Sequence, residues 1–574
     1  MFIQKVSILG FRNFANCEIA FAEKSLILGS NDIGKTNLIA GLRRLLDRSL
    51  SELDIEPCES DFHIDWKGTI ADKAKILIQF AEVTEDAVLA SFPGKISAKK
   101  DLFLCYEAER KDLSFRILAG HSDKHLEELN SRYYLKHLCM KVVDSRRDLA
   151  KFIQSEKKYL LKVAQESRTP QEETDDKETL QKLTTALGGV NKLVGELNYV
   201  AKATSEVNAE LKSLAHHNSA YSVQLNSTAI DVPQFVERLE LAGKTNGASV
   251  SLGGDGRNNQ ILLALWKAKT AREFDHDNEV VIYCIEEPEA HLHPHQQRKL
   301  ASYLTGALKG QTVVTTHSPQ IVSGYSPDNI IRLRRDQGAT RAASNGCSKC
   351  ISDAWDKMGY RMSILPAEAF FASAVLLVEG PSELLFFREL AKRLEIDLDY
   401  YNLSILSVDG VAFEVYAQIL NAMEIPFALR TDNDVSDIST GPKDAKKTLR
   451  QLAGINRCLS LVGEKALPHR DSPYSQADTV ADGTWANVAK VTNPKGVYFS
   501  KMDLENDLGS EVAAEFVTFK GGVHEAVKYL QGSKAIRMRE FLAKHGTALK
   551  GLKGGELAKP LLDCVKYAEA VETL

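Results

Sequence analysis

The sequence lacks the features of a membrane or secreted protein. No apolar run in the 574 residues approaches the roughly 18 residues that a membrane-spanning helix requires. The first residues, MFIQKVSILGFRNF, lack the pattern of a signal peptide, so we expect a cytoplasmic protein without a membrane partner. The nine cysteines are odd in number and irregularly spaced, which does not fit a disulfide framework. Cys347 and Cys350 form a C-x-x-C without the second pair that a zinc module needs.

The chain also lacks an excess of positive charge. Its 72 basic and 77 acidic residues give a net charge of −5, which argues against a non-specific nucleic-acid coat. A local basic groove is still compatible with this balance, because steering of a charged partner depends on how the charge is distributed. Hydrophobic residues make up 44% of the chain, so it has ample material for packed cores.

The most informative stretch is an apolar strand that turns abruptly acidic, VVIYCIEEPEAHLHP at Val280–Pro294. This strand would carry Glu286 and Glu287 to its C-terminal end. There Glu286 could hold Mg²⁺ on nucleotide phosphates, and Glu287 could polarise an attacking water. The pattern is typical of a Walker B segment, although Glu286 replaces the more usual aspartate.

A phosphate-binding loop lies far upstream. GSNDIGKT at Gly29–Thr36 matches G-x-x-x-x-G-K-[ST] between an apolar strand and an apolar-periodic helix. Gly34 allows the backbone to approach the phosphates, Lys35 reaches their β and γ oxygens, and Thr36 supplies a metal-ligand hydroxyl. His317, in TTHSPQ after another strand, is expected at the same site. The predicted ATP and metal contacts of this site are Gly29, Asn31, Gly34, Lys35, Thr36, Glu286 and His317.

A glycine-rich loop between these motifs predicts a subunit contact. Ser251–Gly256 (SLGGDG) resembles the signature loop that ABC-type ATPases offer to the nucleotide of a partner subunit, although glycines are also ordinary turn formers. Ser251 and Gly253 are the expected ATP contacts. A loop acting across a subunit boundary requires a homo-oligomer, either a dimer or a tetramer.

The opening Phe2–Phe14 alternates like a strand and ends in the turn GFRNF, which resembles the RecF/SMC-like branch of ABC ATPases. The fold class that we predict is α/β, with an ABC-type (RecF/SMC-like) ATPase domain at 1–151 and 236–345, a helical insertion and a separate C-terminal domain at 346–574. A helical hairpin is expected at 152–235, because its apolar residues follow a 4-3-4-3 spacing. A thin hairpin cannot bury both faces, so we expect this insertion to take part in dimerisation, with ordinary core packing as the alternative. Thr169–Pro170 and Gly188–Gly189 should break its helices. The polar segment Arg332–Arg341 is interpreted as a linker.

Acidic residues follow two predicted strands of the C-terminal region. Glu379 and Glu383 form E-G-x-x-E at a strand-to-helix junction, and Asp432 and Asp434 form D-x-D after another strand. Residues two apart on an extended segment face the same side, so both aspartates could bind one metal. The acids of Met502–Asp507 offer ligands for a second ion.

The combination of E-G-x-x-E and D-x-D resembles the Toprim pattern, which occurs in topoisomerases, primases and nucleases. We therefore predict that 346–574 is a C-terminal Toprim domain with a parallel sheet. Neither a tyrosine nucleophile on a separate DNA-binding domain nor a zinc module can be placed in this sequence, which favours a nuclease. A different class remains open, in which the chain is a RecF-like ATP-driven DNA clamp whose Toprim fold recruits partners without cutting.

Taken in order, GSNDIGKT, IEEPE, THSP, VEGPSE, TDND, INRCLSLVG, DLENDL and YLQGSK resemble the OLD family of ATP-dependent Toprim endonucleases. Within that family, the chain is similar to the endonuclease subunits of Gabija antiphage systems. The resemblance implies a UvrD-like helicase partner and a role in defence. It also implies catalytic or metal-binding roles for Glu379, Glu383, Asp432, Asp434, Asp503, Glu505 and Lys534.

These assignments predict hydrolysis of DNA with Mg²⁺ or Mn²⁺, under the control of ATP. Two divalent ions can stabilise the attacking and leaving oxygens, and Lys534 would neutralise charge on the phosphate. Basic residues at Arg332, Arg334, Arg335 and in Lys534–Arg539 are candidates for contacts with DNA phosphates. The sequence leaves open whether ATP restrains or licenses cleavage, and the resemblance favours restraint.

Overall fold

The computed structural model describes residues 1–143, 149–214, 279–346 (except 291, 307 and 309), 367–408, 413–440 and 447–573, with short pieces between 242 and 265. Cys347 and Cys350 lie outside these residues. The chain forms two compact units. The first comprises Met1–Ser145, His276–Glu289 and His293–Leu574, and the second comprises Arg146–Asp275 and Ala290–Leu292. The four domain segments expected from the sequence stay a prediction.

An antiparallel sheet begins the first unit. Its strands are β1 (Phe2–Phe11), β2 (Phe14–Ala20), β4 (Lys73–Ala81), β5 (Leu102–Glu109), β6 (Ser114–Ser122) and β7 (His125–Glu128). Their order is β2-β1-β4-β5-β6-β7. Alternate residues of β1, β4 and β5 are buried, as expected for strands with one face on a core.

A second, mainly parallel sheet carries both halves of the predicted nucleotide site. Its strands are β3 (Lys24–Leu28), β8 (Leu138–Val143), β11 (Val280–Glu286), β12 (Thr312–Thr315), β13 (Ile330–Asp336) and β14 (Ala339–Ala342). Their order is β14-β13-β3-β12-β11-β8, and only β14 runs antiparallel to its neighbour. The central strands are apolar because both faces of the sheet are covered. The strand before the phosphate loop and the strand before the acidic pair are therefore separated only by β12.

Helix α1 (Lys35–Leu46) packs between the two sheets and contacts β4, β5 and β8. Its buried leucines and isoleucine join one continuous core with both sheets. The shorter helices of this region are α2 (Asp86–Ser91), α6 (Pro294–Gly306) and α7 (Pro319–Val322). This packing fixes the start of α1, and with it the phosphate loop, against the sheets.

Arg332–Arg341 does not form the expected linker. Its first residues lie in β13, which pairs with β3, and its last residues lie in β14. The interpretation as a linker was wrong because it rested on polarity. Ile331 and Leu333 lie on the face of β13 that joins the core, while Arg332 and Arg334 on the other face contact the segment around Glu424.

A four-stranded parallel sheet forms the C-terminal part of the first unit. Its strands are β15 (Ala374–Val378), β16 (Leu403–Ser407), β17 (Phe427–Thr431) and β21 (Val497–Phe499), in the order β16-β15-β17-β21. A small antiparallel sheet follows β17, with β18 (Ser436–Thr440), β19 (Lys447–Gln451) and β20 (Arg470–Asp471). This arrangement agrees with the predicted parallel Toprim sheet.

Helices enclose the parallel sheet. They are α8 (Pro381–Arg393), α9 (Phe413–Ala422), α10 (Ala453–Leu461), α11 (Gln476–Ala481), α12 (Thr484–Thr492), α13 (Leu504–Glu511), α14 (Ala513–Lys520), α15 (Val523–Gln531), α16 (Lys534–His545) and α17 (Lys559–Thr573). Helices α8, α16 and α17 contribute to the same buried core as β15. This core positions the starts of α8, α13 and α16, which carry predicted site residues.

The second unit contains α3 (Leu149–Glu166), α4 (Pro170–Gly195), α5 (Asn198–Leu214), β9 (Ala242–Thr245) and β10 (Ala248–Ser251). Thr169 caps α4 through a capping box, as its position before Pro170 predicts. The expected break at Gly188–Gly189 is wrong, because α4 continues to Gly195. Two glycines cost about 2 kcal/mol in helix propensity, which a long helix can tolerate. No described helix of the chain meets the length and apolarity of a membrane span.

Candidate functional site

The phosphate loop surrounds Lys35 with backbone. Gly34 has a φ of 102°, and a Cβ there would lie 1.9 Å from Nδ2 of Asn13, so this position requires glycine. Lys35 is buried, and its Nζ donates to the carbonyl oxygens of Gly29 (2.9 Å) and Ser30 (2.8 Å). A nucleotide phosphate would therefore compete with these carbonyls for the lysine.

Glu286 and His317 lie at the ends of neighbouring strands of the sheet that carries the loop. Glu286 ends β11 and is paired in register with Thr315, the last residue of β12. Glu287 follows with a φ of 45°, a left-handed conformation that costs a non-glycine residue about 1–3 kcal/mol. Its Oε1 lies 3.7 Å from Nε2 of His317. The turn thus keeps Glu287 beside His317 at the end of the sheet.

Glu289 belongs to the same site, although the sequence interpretation gave it no role. Its Oε1 accepts hydrogen bonds from Oγ1 of Thr316 (2.6 Å) and from the backbone N–H of His317 (2.7 Å). Burial raises the pKa of Glu289 in spite of these bonds, and its Oε2 is buried without a hydrogen-bond partner. Glu289 therefore positions the segment that carries His317. The available signal was a third carboxylate at the end of one strand, in IEEPE.

The electrostatics of this site fit a nucleotide with its metal ion. Burial lowers the pKa of Lys35, while Glu287 and Glu289 oppose the shift. Burial also lowers the pKa of His317, and the charge of Lys35 adds to that effect. Thr36 and Asn31 are exposed. The donors that would hold a cation, Thr36 and Glu286, present oxygen only, which suits Mg²⁺.

The predicted contact across subunits lies largely outside the described residues. Ser251 is the last residue of β10 in the second compact unit, and Gly253 is not among the described residues. Their roles at a nucleotide stay a prediction.

A second group of carboxylates gathers at the C-terminal edge of the parallel sheet. Glu379 follows β15, Asp432 follows β17, and Asp503 lies just beyond β21, the next strand in the sheet. Glu383 and Glu505 lie in the first turns of α8 and α13. Because these elements meet at one edge, the structure brings together residues that are far apart in sequence.

Lys534, the first residue of α16, lies within this group. Its Nζ is 3.5 Å from Oδ2 of Asp432. Burial opposes protonation of Lys534, but Asp432, Glu505, Glu383 and Asp503 together raise its pKa. The lysine is therefore held as a cation among the carboxylates.

Burial and mutual repulsion raise the pKa values of several of these carboxylates. Burial, with the charges of Glu379 and Glu383, raises the pKa of Asp432 to about 8. Burial likewise raises the pKa of Glu383 and of Glu505. Oε2 of Glu505 is buried without a hydrogen-bond partner. An additional cation would relieve each of these costs.

The donor chemistry fits Mg²⁺ or Mn²⁺, since every predicted ligand of this site is a carboxylate. The side chains are not preformed around an ion. Within the described parts of the chain, no three His, Cys, Asp or Glu side chains are arranged to hold a metal directly.

Arg457 of α10 contacts two of these carboxylates, although the sequence analysis gave it no role of its own. Its Nη2 donates to Oδ2 of Asp434 at 2.8 Å, and its Nη1 lies 3.7 Å from Oε2 of Glu379. Nη1 also donates to Oγ1 of Thr431, which in turn donates to Glu379 (3.0 Å). The segment containing Arg457 was recognised only by its resemblance, because the partners are distant in sequence.

Backbone packing fixes the turn that carries Asp432 and Asp434. A Cβ at Gly454 would lie 2.3 Å from the carbonyl oxygen of Asp432 and 2.5 Å from the backbone nitrogen of Asp434. Below the turn, Ser500 Oγ donates to Oδ1 of Asp432 (3.2 Å) and accepts a hydrogen bond from Arg430 (3.0 Å). The two aspartates are therefore positioned from both sides.

The structure gives partners to several basic residues that were predicted to contact DNA or phosphate. Arg332 and Arg334 contact the segment around Glu424, and Arg335 is exposed. Contacts of these arginines with DNA stay a prediction, and charge alone did not reveal the partners of the first two. Lys544 pairs with Glu540 at 3.0 Å, so Lys534 is the lysine placed beside Asp432.

Two family models match the chain. The AAA ATPase domain matches residues 1–192 and 144–322, more than half of the chain. The TOPRIM domain of Overcoming lysogenization defect (OLD) protein-like proteins matches residues 370–434. The chain therefore belongs to the AAA ATPase domain family and carries an OLD-like TOPRIM domain. This confirms the predicted fold class and the class of enzyme, a TOPRIM nuclease with an ATP-binding domain.

Named relatives agree with this assignment. Endonuclease GajA of Bacillus cereus (strain VD045) is 26% identical over 573 residues, which cover 94% of this chain and 95% of GajA. The OLD nuclease of Thermus scotoductus is 30% identical over 161 residues, 26% of this chain and 30% of that protein. The Old nuclease of Escherichia phage P2 is 28% identical over 196 residues, 32% of each chain. These similarities confirm the resemblance to OLD nucleases and to the Gabija endonuclease subunit.

Proposed function

We propose that this chain is a metal-dependent DNA endonuclease whose cutting is controlled by nucleotide bound at its ATPase domain. The observation that carries the proposal is Lys534 beside Asp432, in a group of buried carboxylates at the C-terminal edge of the TOPRIM sheet. The similarity to endonuclease GajA and to two OLD nucleases supports DNA as the substrate.

Each residue has a distinct part in this proposal. Glu379, Glu383, Asp432, Asp434, Asp503 and Glu505 would hold one or two divalent ions. Such ions supply positive charge that activates the nucleophile and stabilises the oxygens of the phosphodiester. Lys534 stabilises negative charge that develops on the phosphate, because its ammonium group is already held at the site. Arg457 keeps Glu379 and Asp434 oriented.

The proposed nucleotide is ATP, held with Mg²⁺ by the phosphate loop, Glu286 and His317. Glu287 is the proposed residue that orients the attacking water. The proposal also includes a cytoplasmic homo-oligomer, a UvrD-like helicase partner and a role in antiphage defence. These last elements rest on the similarity to GajA.

Nicking of supercoiled plasmid tests the function. We expect the parent protein to convert supercoiled to open-circular or linear DNA with Mg²⁺ or Mn²⁺, and to leave it intact with EDTA. Asp432→Asn should lose this activity because it removes a ligand charge without changing the shape of the side chain. Asp437→Asn is a matched control, since Asp437 is exposed and pairs with Arg450 at 3.3 Å.

DNA binding has to be measured in the same samples by electrophoretic mobility shift. A parent protein that binds the plasmid but never nicks it with either metal contradicts the nuclease proposal. That outcome would instead support the DNA clamp.

A further inference from the structure

The hairpin formed by β13 and β14 approaches the phosphate loop at two positions. Thr340 donates from Oγ1 to the carbonyl oxygen of Ile33 at 2.7 Å, and Asn13 donates to the same oxygen at 2.6 Å. At the first residue of the loop, a Cβ on Gly29 would lie 3.0 Å from the carbonyl oxygen of Leu333 in β13. The loop and the hairpin are therefore in direct contact.

The same hairpin holds Glu424 of the TOPRIM domain by its side chain. Arg341 donates to both carboxylate oxygens, at 3.0 and 2.6 Å, and Arg334 lies 2.9 Å from Oε2. The backbone N–H of Ser344 adds a bond of 2.9 Å. Burial would raise the pKa of Glu424, but these partners outweigh it and lower the pKa. The bidentate Arg341 pair is the strong, directional kind of ion pair.

Arg332 holds the backbone next to Glu424. Its Nη1 donates to the carbonyl oxygens of Met423 (3.0 Å) and Glu424 (3.1 Å), and its Nη2 donates to that of Ala372 (3.3 Å). Ala372 lies two residues before β15, and Glu424 lies three residues before β17. The hairpin thus forms hydrogen bonds just before β15 and β17, the neighbouring strands whose C-terminal ends carry Glu379 and Asp432.

We propose that the β13–β14 hairpin transmits the state of the phosphate loop to the nuclease site, with Glu424 as the contact through which it acts on β15 and β17. This inference rests on the proposed function, since it names how nucleotide controls the same carboxylate site. Glu424 and Arg341 are positioning residues that touch neither phosphate nor DNA.

The hydrogen bonds of Lys35 are the part of the loop that we expect nucleotide binding to change. The Nζ of Lys35 donates to the carbonyl oxygens of Gly29 and Ser30, and a bound nucleotide would exchange these bonds for bonds to phosphate oxygens. In this proposal, release of the two bonds changes the loop that Thr340 and Leu333 approach. Strand β17 has five residues and pairs with β15 and β21, so a shift at its start would reach Asp432, which follows its end. Coupling of this kind requires nucleotide to bind two states of the hairpin with different affinity.

The test compares Glu424→Gln with Glu395→Gln. Both glutamates have a left-handed backbone just after a helix, with φ values of 50° and 60°. The side chain of Glu395 is 83% exposed, and its ion pair with Lys550 is long, at 3.8 Å. Glu395 therefore shares the turn conformation of Glu424 but not its contacts with the hairpin. Arg341→Lys is a second variant, because it keeps the charge and loses the bidentate geometry.

Plasmid nicking is measured for each protein with and without saturating ATP at fixed Mg²⁺. Allosteric couplings commonly change a response by about 5- to 150-fold, and we expect the ATP effect to fall below about twofold in Glu424→Gln and Arg341→Lys. Nicking without ATP and ATP affinity should stay at parent levels, and Glu395→Gln should behave as the parent. A full ATP effect in Glu424→Gln overturns the inference.

Hydrogen–deuterium exchange gives a readout that does not depend on cutting. We expect a non-hydrolysable ATP analogue to change exchange at residues 427–434 in the parent and in Glu395→Gln, but not in Glu424→Gln. If the parent never nicks DNA, the proposed function fails while this readout still tests the hairpin. If bound nucleotide leaves 427–434 unchanged in the parent, the coupling is refuted even when nicking is observed.

Discussion

Replacing Arg457 by Met should destabilise the metal-free protein and increase its response to metal. Arg457 is only 15% exposed and is the cation that bridges Asp434 and Glu379. A hydrogen bond to a charged group contributes about 1.5–3 kcal/mol, so loss of the Asp434 bond should cost on the order of 2 kcal/mol. For a cooperative domain of about 150–250 residues, a loss of about 2 kcal/mol corresponds to a fall in Tm of roughly 4–8 °C.

Metal should then reverse much of this loss. A divalent ion supplies the opposite charge that Asp434 and Glu379 have lost, whereas in the parent it must first displace Arg457 from Asp434. Mn²⁺ should therefore raise the Tm of Arg457→Met more than that of the parent. Scanning calorimetry with EDTA or MnCl₂ measures both shifts, and Arg450→Met provides an arginine control away from the carboxylates. Equal Mn²⁺ shifts in parent and variant would refute the reasoning that metal and Arg457 share these ligands.

Three other perturbations test separate parts of the structure. Gly454→Ala should lose nicking and about 1–3 kcal/mol of stability, because its Cβ would overlap the Asp432–Asp434 turn. A Cβ at Gly551 would meet open space, so Gly551→Ala should match the parent in both urea unfolding and plasmid nicking. Without metal, the free energy of unfolding should fall as pH rises from about 4 to about 8, because the pKa of Asp432 is raised from 3.8 to about 8 in the folded state, which retains the proton. Urea unfolding between pH 6 and 8 should show a weaker dependence of this free energy on pH for Asp432→Asn than for the parent. An equal dependence would contradict the assignment. Lys35→Ala should lose binding of a fluorescent ATP analogue and keep nicking when ATP is added if nucleotide restrains the nuclease; a variant that never nicks would favour licensing.

The sequence predicted the elements whose chemistry is local. Strand β11 ends at Glu286, α1 begins at Lys35, and the acids of E-G-x-x-E and D-x-D follow β15 and β17. In each case an apolar run, a turn residue and a charged residue are adjacent in the chain. Parallel pairing then places the ends of these strands at the same edge of a sheet, which explains why the two sites could be outlined in advance.

The parts that were missed depend on partners distant in sequence. Arg457 meets Glu379 across 78 positions of the numbering, and Arg341 meets Glu424 in another domain. Polarity made β13 and β14 resemble a linker, because the arginines that face Glu424 cannot be distinguished from solvated ones by sequence alone. The continuation of α4 through two glycines likewise depends on helix length and capping, which outweigh the local propensity.

The central claim, that the carboxylate group around Lys534 cuts DNA, is tested most directly by comparing two lysines. Lys534→Ala and Lys528→Ala remove the same charge from neighbouring helices, but only Lys534 lies 3.5 Å from Asp432. Nicking of supercoiled plasmid at fixed Mn²⁺, with DNA binding measured in parallel, should fall by about 100-fold or more for Lys534→Ala, as for loss of one preorganised electrostatic group. Lys528→Ala should cut as the parent does. Equal nicking by Lys534→Ala and the parent, with DNA binding intact, would contradict the account.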